Sequence, residues 1–178
     1  MKRLIPLAYF FFTCLLVLSA CLPLPPVNPV PLVAAASVAV SHGSAQSPAG
    51  GEIGTLLSQT LPPSNVKALR ISAWGSSTGQ GNPRAFYLYV GNDLTIAVNI
   101  EAPLRWFRCE TEAIKAAPDK AVYSSVCFVG DLAGATVTSV HSIEGPLNWA
   151  APIVIRGAGK GVLLGDVTQT GMIVETLN

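Results

Sequence analysis

Charge is sparse in this chain: Asp, Glu, Lys and Arg make up 12% of its 178 residues, with 11 cations against 10 carboxylates and two histidines. Neither the total nor any local run supplies the basic face that nucleic-acid binding requires, so nucleic acid is excluded as a partner. Acidic residues are scattered singly with no Asp-x-Asp-x-Asp run, which leaves a calcium loop unsupported. Cysteines number four and include no Cys-x-x-Cys pair, so metal and redox motifs are missing and no cofactor is implied. No apolar run reaches the roughly 20 residues needed to cross a bilayer as a helix.

Serine, histidine and acid are also poorly placed for catalysis. Ser139, His141 and Glu144 supply the residue types of a hydrolytic site. Ser and His two apart on a strand share a face without forming a nucleophile-to-base hydrogen bond, and no Gly-x-Ser-x-Gly elbow is present. Arg156-Gly157-Ala158-Gly159-Lys160-Gly161 lacks the hydroxyl residue after the lysine that a phosphate loop needs. Its glycines are expected in a turn or bulge, and the protein is expected not to be an enzyme.

What the sequence does have is a strongly ordered N-terminus. Lys2 and Arg3 precede the apolar run Leu4 to Leu18, small residues follow, and Cys21 closes the stretch. That order is the signature of a secretory signal. Leu18-Ser19-Ala20-Cys21 also resembles the lipobox of bacterial lipoproteins. The resemblance covers about the first 21 residues and implies cleavage after Ala20, a lipid on Cys21 and a home in the bacterial cell envelope. With Leu22 rather than Asp after the cysteine, it implies the outer membrane where two membranes exist. The other cleavage to weigh is an ordinary one after Ala45 in Gly43-Ser44-Ala45.

The expected layout is a signal over 1–20, an anchor and linker over 21–51 and a folded domain over 52–178. Five prolines between Leu22 and Pro31 make an extended stalk, and Ser41 to Gly51 reads as a flexible spacer. Leu32 to Val40 is apolar, and the sequence leaves open whether it lies along the domain, pairs as a strand or stays disordered. Glu52 to Gln59 reads as a short helix. Beyond Pro63 the hydrophobic period becomes two, seen best in Asp93 to Glu101, where the even positions are all apolar.

Strand-like runs also occur at 68–74, 85–90, 105–111, 123–129, 135–143, 153–156, 162–164 and 172–177, separated by Gly, Pro, Asn and Asp turn signals. Eight or nine short strands with almost no helical periodicity predict an all-β fold, an antiparallel sandwich or barrel. Once Cys14 leaves with the signal and Cys21 takes the lipid, Cys109 and Cys127 remain to form one disulfide. Their midpoint is Pro118, beside Asp119, where a hairpin should turn, so the two sulfurs should lie opposite each other.

Function is less legible. Tyr87, Tyr89 and Trp106 are the candidate ligand-binding residues, because exposed Tyr and Trp offer a flat apolar body with a polar edge. The leading expectation is a lipid-anchored interaction or structural module that meets an envelope protein or glycan. A glycan- or small-ligand-binding lipoprotein comes second, and an envelope hydrolase third.

Overall fold

Ten antiparallel strands account for almost all regular structure in the computed structural model, which describes residues 35–63, 65–78 and 81–178. These residues belong to one unit, Val33–Asn178. The signal, Cys21 and the proline stalk lie outside the described residues. The strands are β1 Ala35–Gln46, β2 Ile53–Leu61, β3 Ala68–Ser77, β4 Ala85–Val90, β5 Asp93–Asn99, β6 Trp106–Ala117, β7 Lys120–Gly130, β8 Ala135–Pro146, β9 Ile153–Lys160 and β10 Val167–Leu177. They form a six-stranded sheet in the order β1-β10-β3-β6-β7-β8 and a four-stranded sheet in the order β2-β9-β4-β5. The expected all-β sandwich is what the chain builds.

Alternation drives the packing of the two sheets. On β6, Phe107, Cys109, Thr111 and Ala113 are buried while Arg108, Glu110 and Glu112 lie on the other side. Leu69, Ile71 and Ala73 do the same on β3, and Phe86, Leu88 and Val90 on β4. A strand with a period of two presents one face to the core, and burying such a face removes its apolar surface from water at about 25 cal/mol per Å². Near the starts of β4 and β6, Phe86 of one sheet stacks on Phe107 of the other, with ring centroids 4.3 Å apart.

The β6–β7 hairpin turns at Pro118-Asp119, and Cys109 faces Cys127 in its register. The two are joined by a disulfide with their Cα atoms 4.1 Å apart. This is the pairing the midpoint of the two cysteines predicts.

Four local expectations are corrected. Residues 53–61 form β2 instead of a helix: a bulge between Thr55 and Ser58 breaks the period of two, so Ile53, Leu56 and Leu57 fall at helical spacing on a bulged strand. Of the alternatives left open for the 32–40 run, residues 35–40 pair as a strand, and 41–46, read as a flexible spacer, continue it as β1 against β10. The 162–164 run forms a loop, not a strand. Gly157 to Lys160, read as a turn, lies within β9.

The register also fixes which loops share an end. β1 begins opposite Leu177 and ends beside Thr168. Its start therefore lies at one end of the sandwich with the Gly91-Asn92 and Pro118-Asp119 hairpins and the 147–152 connection. The opposite end carries residues 47–52, 100–105, 131–134 and 161–166. Twelve residues of β1 separate the two ends by roughly 35–40 Å at about 3.3 Å per residue.

The two ends are sealed differently. At the Ala35 end Trp149 is buried, its Nε1–H donating to the Lys120 carbonyl at 3.0 Å. At the other end buried Ser47, Arg84 and Asp166 replace apolar side chains.

Candidate functional site

The loop at 161–166 joins β9 to β10 at the end remote from Ala35, and its backbone is held from within. The Asp166 carboxylate accepts from the Val162 amide at 2.9 Å and the Leu163 amide at 2.8 Å, and its other oxygen accepts from Thr78 Oγ1 at 3.0 Å. Gly50 and Gly51 amides donate to the Val162 and Gly161 carbonyls, and Gly165 N–H donates to Ser47. Gly165 sits at φ +77°, a left-handed conformation that other residues adopt only with strain.

With its polar backbone satisfied, the loop turns its apolar side chains out. Leu164 is 69% exposed, and Val162, Leu163 and the adjacent Ile53 on β2 are exposed as well. At the β7–β8 hairpin of the same end, Leu132 is 99% exposed. That hairpin is also tightly built, since Asp131 Oδ1 accepts from the Ala133 and Gly134 amides at 2.7 and 3.2 Å. Single exposed leucines are ordinary; here Val162, Leu163 and Leu164 on the ordered turn and Ile53 on β2 are exposed at the same end. A loop already ordered loses little further conformational freedom when it binds.

Tyr87 and Tyr89 point to the outer face of the four-stranded sheet, where the Arg156 guanidinium lies 4.3 Å from the centre of the Tyr89 ring. Trp106 lies on the outer face of the six-stranded sheet and donates from Nε1 to the Asp131 carbonyl at 3.2 Å. The packed core stands between these faces, so the three aromatics do not make one site. Ser139 and His141 pair with Cys127 and Ser125 in the β8 register; their side chains lie outside the described ones. Cys21 lies outside the described residues too.

A shallow depression of about 640 Å³ crosses the outer face of the six-stranded sheet. Its charges pair with one another: Arg70 meets Glu112 at 2.7 Å and Glu175 at 4.0 Å, and Arg108 meets Glu110 at 2.9 Å. Exposed pairs of this kind contribute about 0–1 kcal/mol, and two arginines against three glutamates leave the lining one carboxylate in excess. Among the described residues no group of His, Cys, Asp or Glu is placed to hold a metal, and no helix is long and apolar enough to cross a membrane.

The apolar loop end was missed from sequence because Val162-Leu163-Leu164 has the composition of a strand. Asp166 two positions on was the available sign, as Asp often caps the amides of a turn.

No protein-family model matches the chain, and no curated protein does. Among solved structures it is similar to a chain of infectious bursal disease virus Gt strain, at 14% identity and TM-score 0.35, over 88% of this chain and 38% of that one. A chain of the Gx strain aligns at 16% identity and TM-score 0.29, over 87% and 36%. The VP2 subviral particle of the same virus aligns at 12% identity and TM-score 0.24, over 88% and 47%. The chain thus spans less than half the length of each.

Proposed function

We propose that this protein is a lipid-anchored, non-enzymatic envelope module that presents its 161–166 end to a protein partner. The anchor rests on Lys2-Arg3, the apolar run and Leu18 to Cys21. One observation carries the display role: the chain enters β1 at Ala35, and the pre-ordered apolar loop stands at the other end of the sandwich. A chain tethered through Cys21 is attached at the first end and free at the second. The position of β1 also favours cleavage at Cys21 over cleavage after Ala45, which would remove nearly the whole of an edge strand paired with β10.

The partner is taken to be a protein with an apolar cleft rather than a bilayer. Glu52, Glu101 and Asp131 stand at the same end as Lys160 and Arg105, so that end has no cationic excess to hold it on anionic lipid. Proteins, by contrast, seat small apolar anchors in desolvated pockets at the centre of an interface.

The test is photo-crosslinking in intact envelopes from a probe at position 164, compared with a probe at position 120 on the Ala35 end. The reading expects a discrete protein adduct from 164 alone, lost in Leu163→Asp. Equal adducts from both positions, or adducts to lipid only, would overturn it.

A further inference from the structure

The outer face of the four-stranded sheet carries charge of one sign only. Its strands contain three charged residues, Asp93 on β5 and Arg156 and Lys160 on β9. Asp93 is turned away, with its carboxylate against Gly145 and beside Tyr123 of the other sheet. Arg156 and Lys160 share the outer side of β9, because Ile155, Gly157 and Gly159 alternate with them toward the core. Lys160 closes the strand on the side of Glu52, so Arg156 holds the charge at the middle of the face. The six-stranded sheet differs, since its Arg70 and Arg108 meet carboxylates.

Arg156 is held in place without being neutralised. Its guanidinium lies over the Tyr89 ring, 4.3 Å from the centroid, and among the described residues it makes no hydrogen bond or ion pair. Contact with a ring uses the flat face of a guanidinium and leaves its N–H edges, whose forked donors match the two oxygens of a carboxylate. Around it the face is accessible: Arg156, Tyr87 and Tyr89 are half-buried, and Ser58, opposite Arg156 in the β2 register, is exposed. Tyr87 has only Ala158 and Ala97 as direct cross-strand neighbours, so no large side chain stands opposite it. Ser58 and Tyr89 flank Arg156 from the two adjacent strands, a width of roughly 10 Å at about 4.8 Å between strands. Such a surface is open and wide, suited to a chain lying across it and not to a single enclosed sugar.

We propose that the outer face of the β2-β9-β4-β5 sheet binds an acidic polysaccharide. The Arg156 fork takes a uronate carboxylate, Tyr87 offers its flat apolar body to an adjacent sugar, and Ser58 supplies a hydroxyl. The planar carboxylate is what the fork selects, and the polymer is what the width requires. The assignment goes beyond the display role and does not depend on it.

The test is calorimetric titration of the full chain in detergent with oligogalacturonate at constant ionic strength. The expected result is saturable binding, weakened about 10-fold in Arg156→Gln, the scale of losing one charge-assisted contact, and weakened also in Tyr87→Ala. Arg108→Gln, on the other sheet, should bind as the wild type does. Methyl-esterified oligogalacturonate of the same length, monomeric galacturonate and inorganic polyphosphate should all bind more weakly than the acidic oligomer. Absence of saturable binding, or undiminished affinity in Arg156→Gln, would overturn the assignment. Equal affinity for the methyl ester would mean that the carboxylate is not read, and equal affinity for polyphosphate that the face attracts any polyanion; either would overturn it too. The ligand comparisons use the wild type alone, so they decide the matter if a variant fails to fold.

Discussion

The carboxamide of Gln169 rests on the backbone of Gly157, so close that a β-carbon at 157 would collide with Gln169 Oε1. Gln169 belongs to β10 of one sheet and Gly157 to β9 of the other, and both are buried. Gln169 Oε1 accepts from the Leu57 amide at 3.1 Å and Nε2 donates to the Gly171 carbonyl at 3.3 Å. A polar side chain thus ties β2 to β10 through the space a missing side chain leaves.

Two substitutions probe this contact. Gly157→Ala should destabilise by about 1–3 kcal/mol through overpacking, and Gln169→Leu by a similar amount because the Leu57 N–H loses its buried acceptor. Urea unfolding measures both. A double variant costing as much as the sum of the two would show that they act independently, against the contact described.

The disulfide should matter on a comparable scale. Cys109 and Cys127 are 18 residues apart, and closing a loop of this size stabilises by about 3 kcal/mol in the chain-entropy picture. Cys109→Ala/Cys127→Ala should lower the denaturant midpoint accordingly while leaving the β-sheet circular dichroism unchanged. An unchanged midpoint would mean the crosslink restricts nothing that the hairpin does not already hold.

These contacts show how much was readable in advance. β4 and the Pro118-Asp119 turn were legible because Phe86, Leu88 and Val90 alternate and because a proline marks the reversal. β1 was not, since its inward positions Ala39, Ser41 and Ala45 are small and sit at a sheet edge, so they give little hydrophobic contrast. Only the second half of β9 was hidden: 153–156 reads as a strand, but the glycines after it look like a turn, and their space is filled by Gln169 and Leu56 from facing and neighbouring strands. The apolar loop depends on hydrogen bonds from its own amides to the Asp166 carboxylate, which no periodicity reports. The aromatic candidates failed to converge because sequence gives the alternation within each strand but not which sheet a strand joins.

Alkaline pH should expose another buried contact. Tyr123 is buried beside Asp93, and burial first, then the neighbouring Asp93 carboxylate, raise its hydroxyl pKa above the ordinary value near 10. A folded pKa above the unfolded one means the stabilising contribution is intact below pH 10 and is lost as pH rises toward the folded value. Stability measured from pH 8 to 11 should begin to fall near pH 10, and Tyr123→Phe should flatten that fall. A decline of equal slope in the variant would assign the effect elsewhere.

The exposed loop should separate function from stability. Leu164→Ser removes a side chain that is mostly in water, so unfolding free energy should change by less than about 0.5 kcal/mol. Asp166→Ala removes the acceptor for two loop amides and Thr78, and should cost about 1–3 kcal/mol. If Leu164→Ser were as destabilising as Asp166→Ala, the loop would be part of the packed structure and not a presented surface.

We propose that Cys21 carries the lipid that holds the chain to the envelope. Mass analysis of the mature N-terminal peptide decides this. The expected result is a peptide beginning at Cys21 and carrying a thioether-linked diacylglycerol, absent when Cys21→Ser is expressed. An unmodified N-terminus at any other residue, with the same membrane retention in Cys21→Ser, would contradict it.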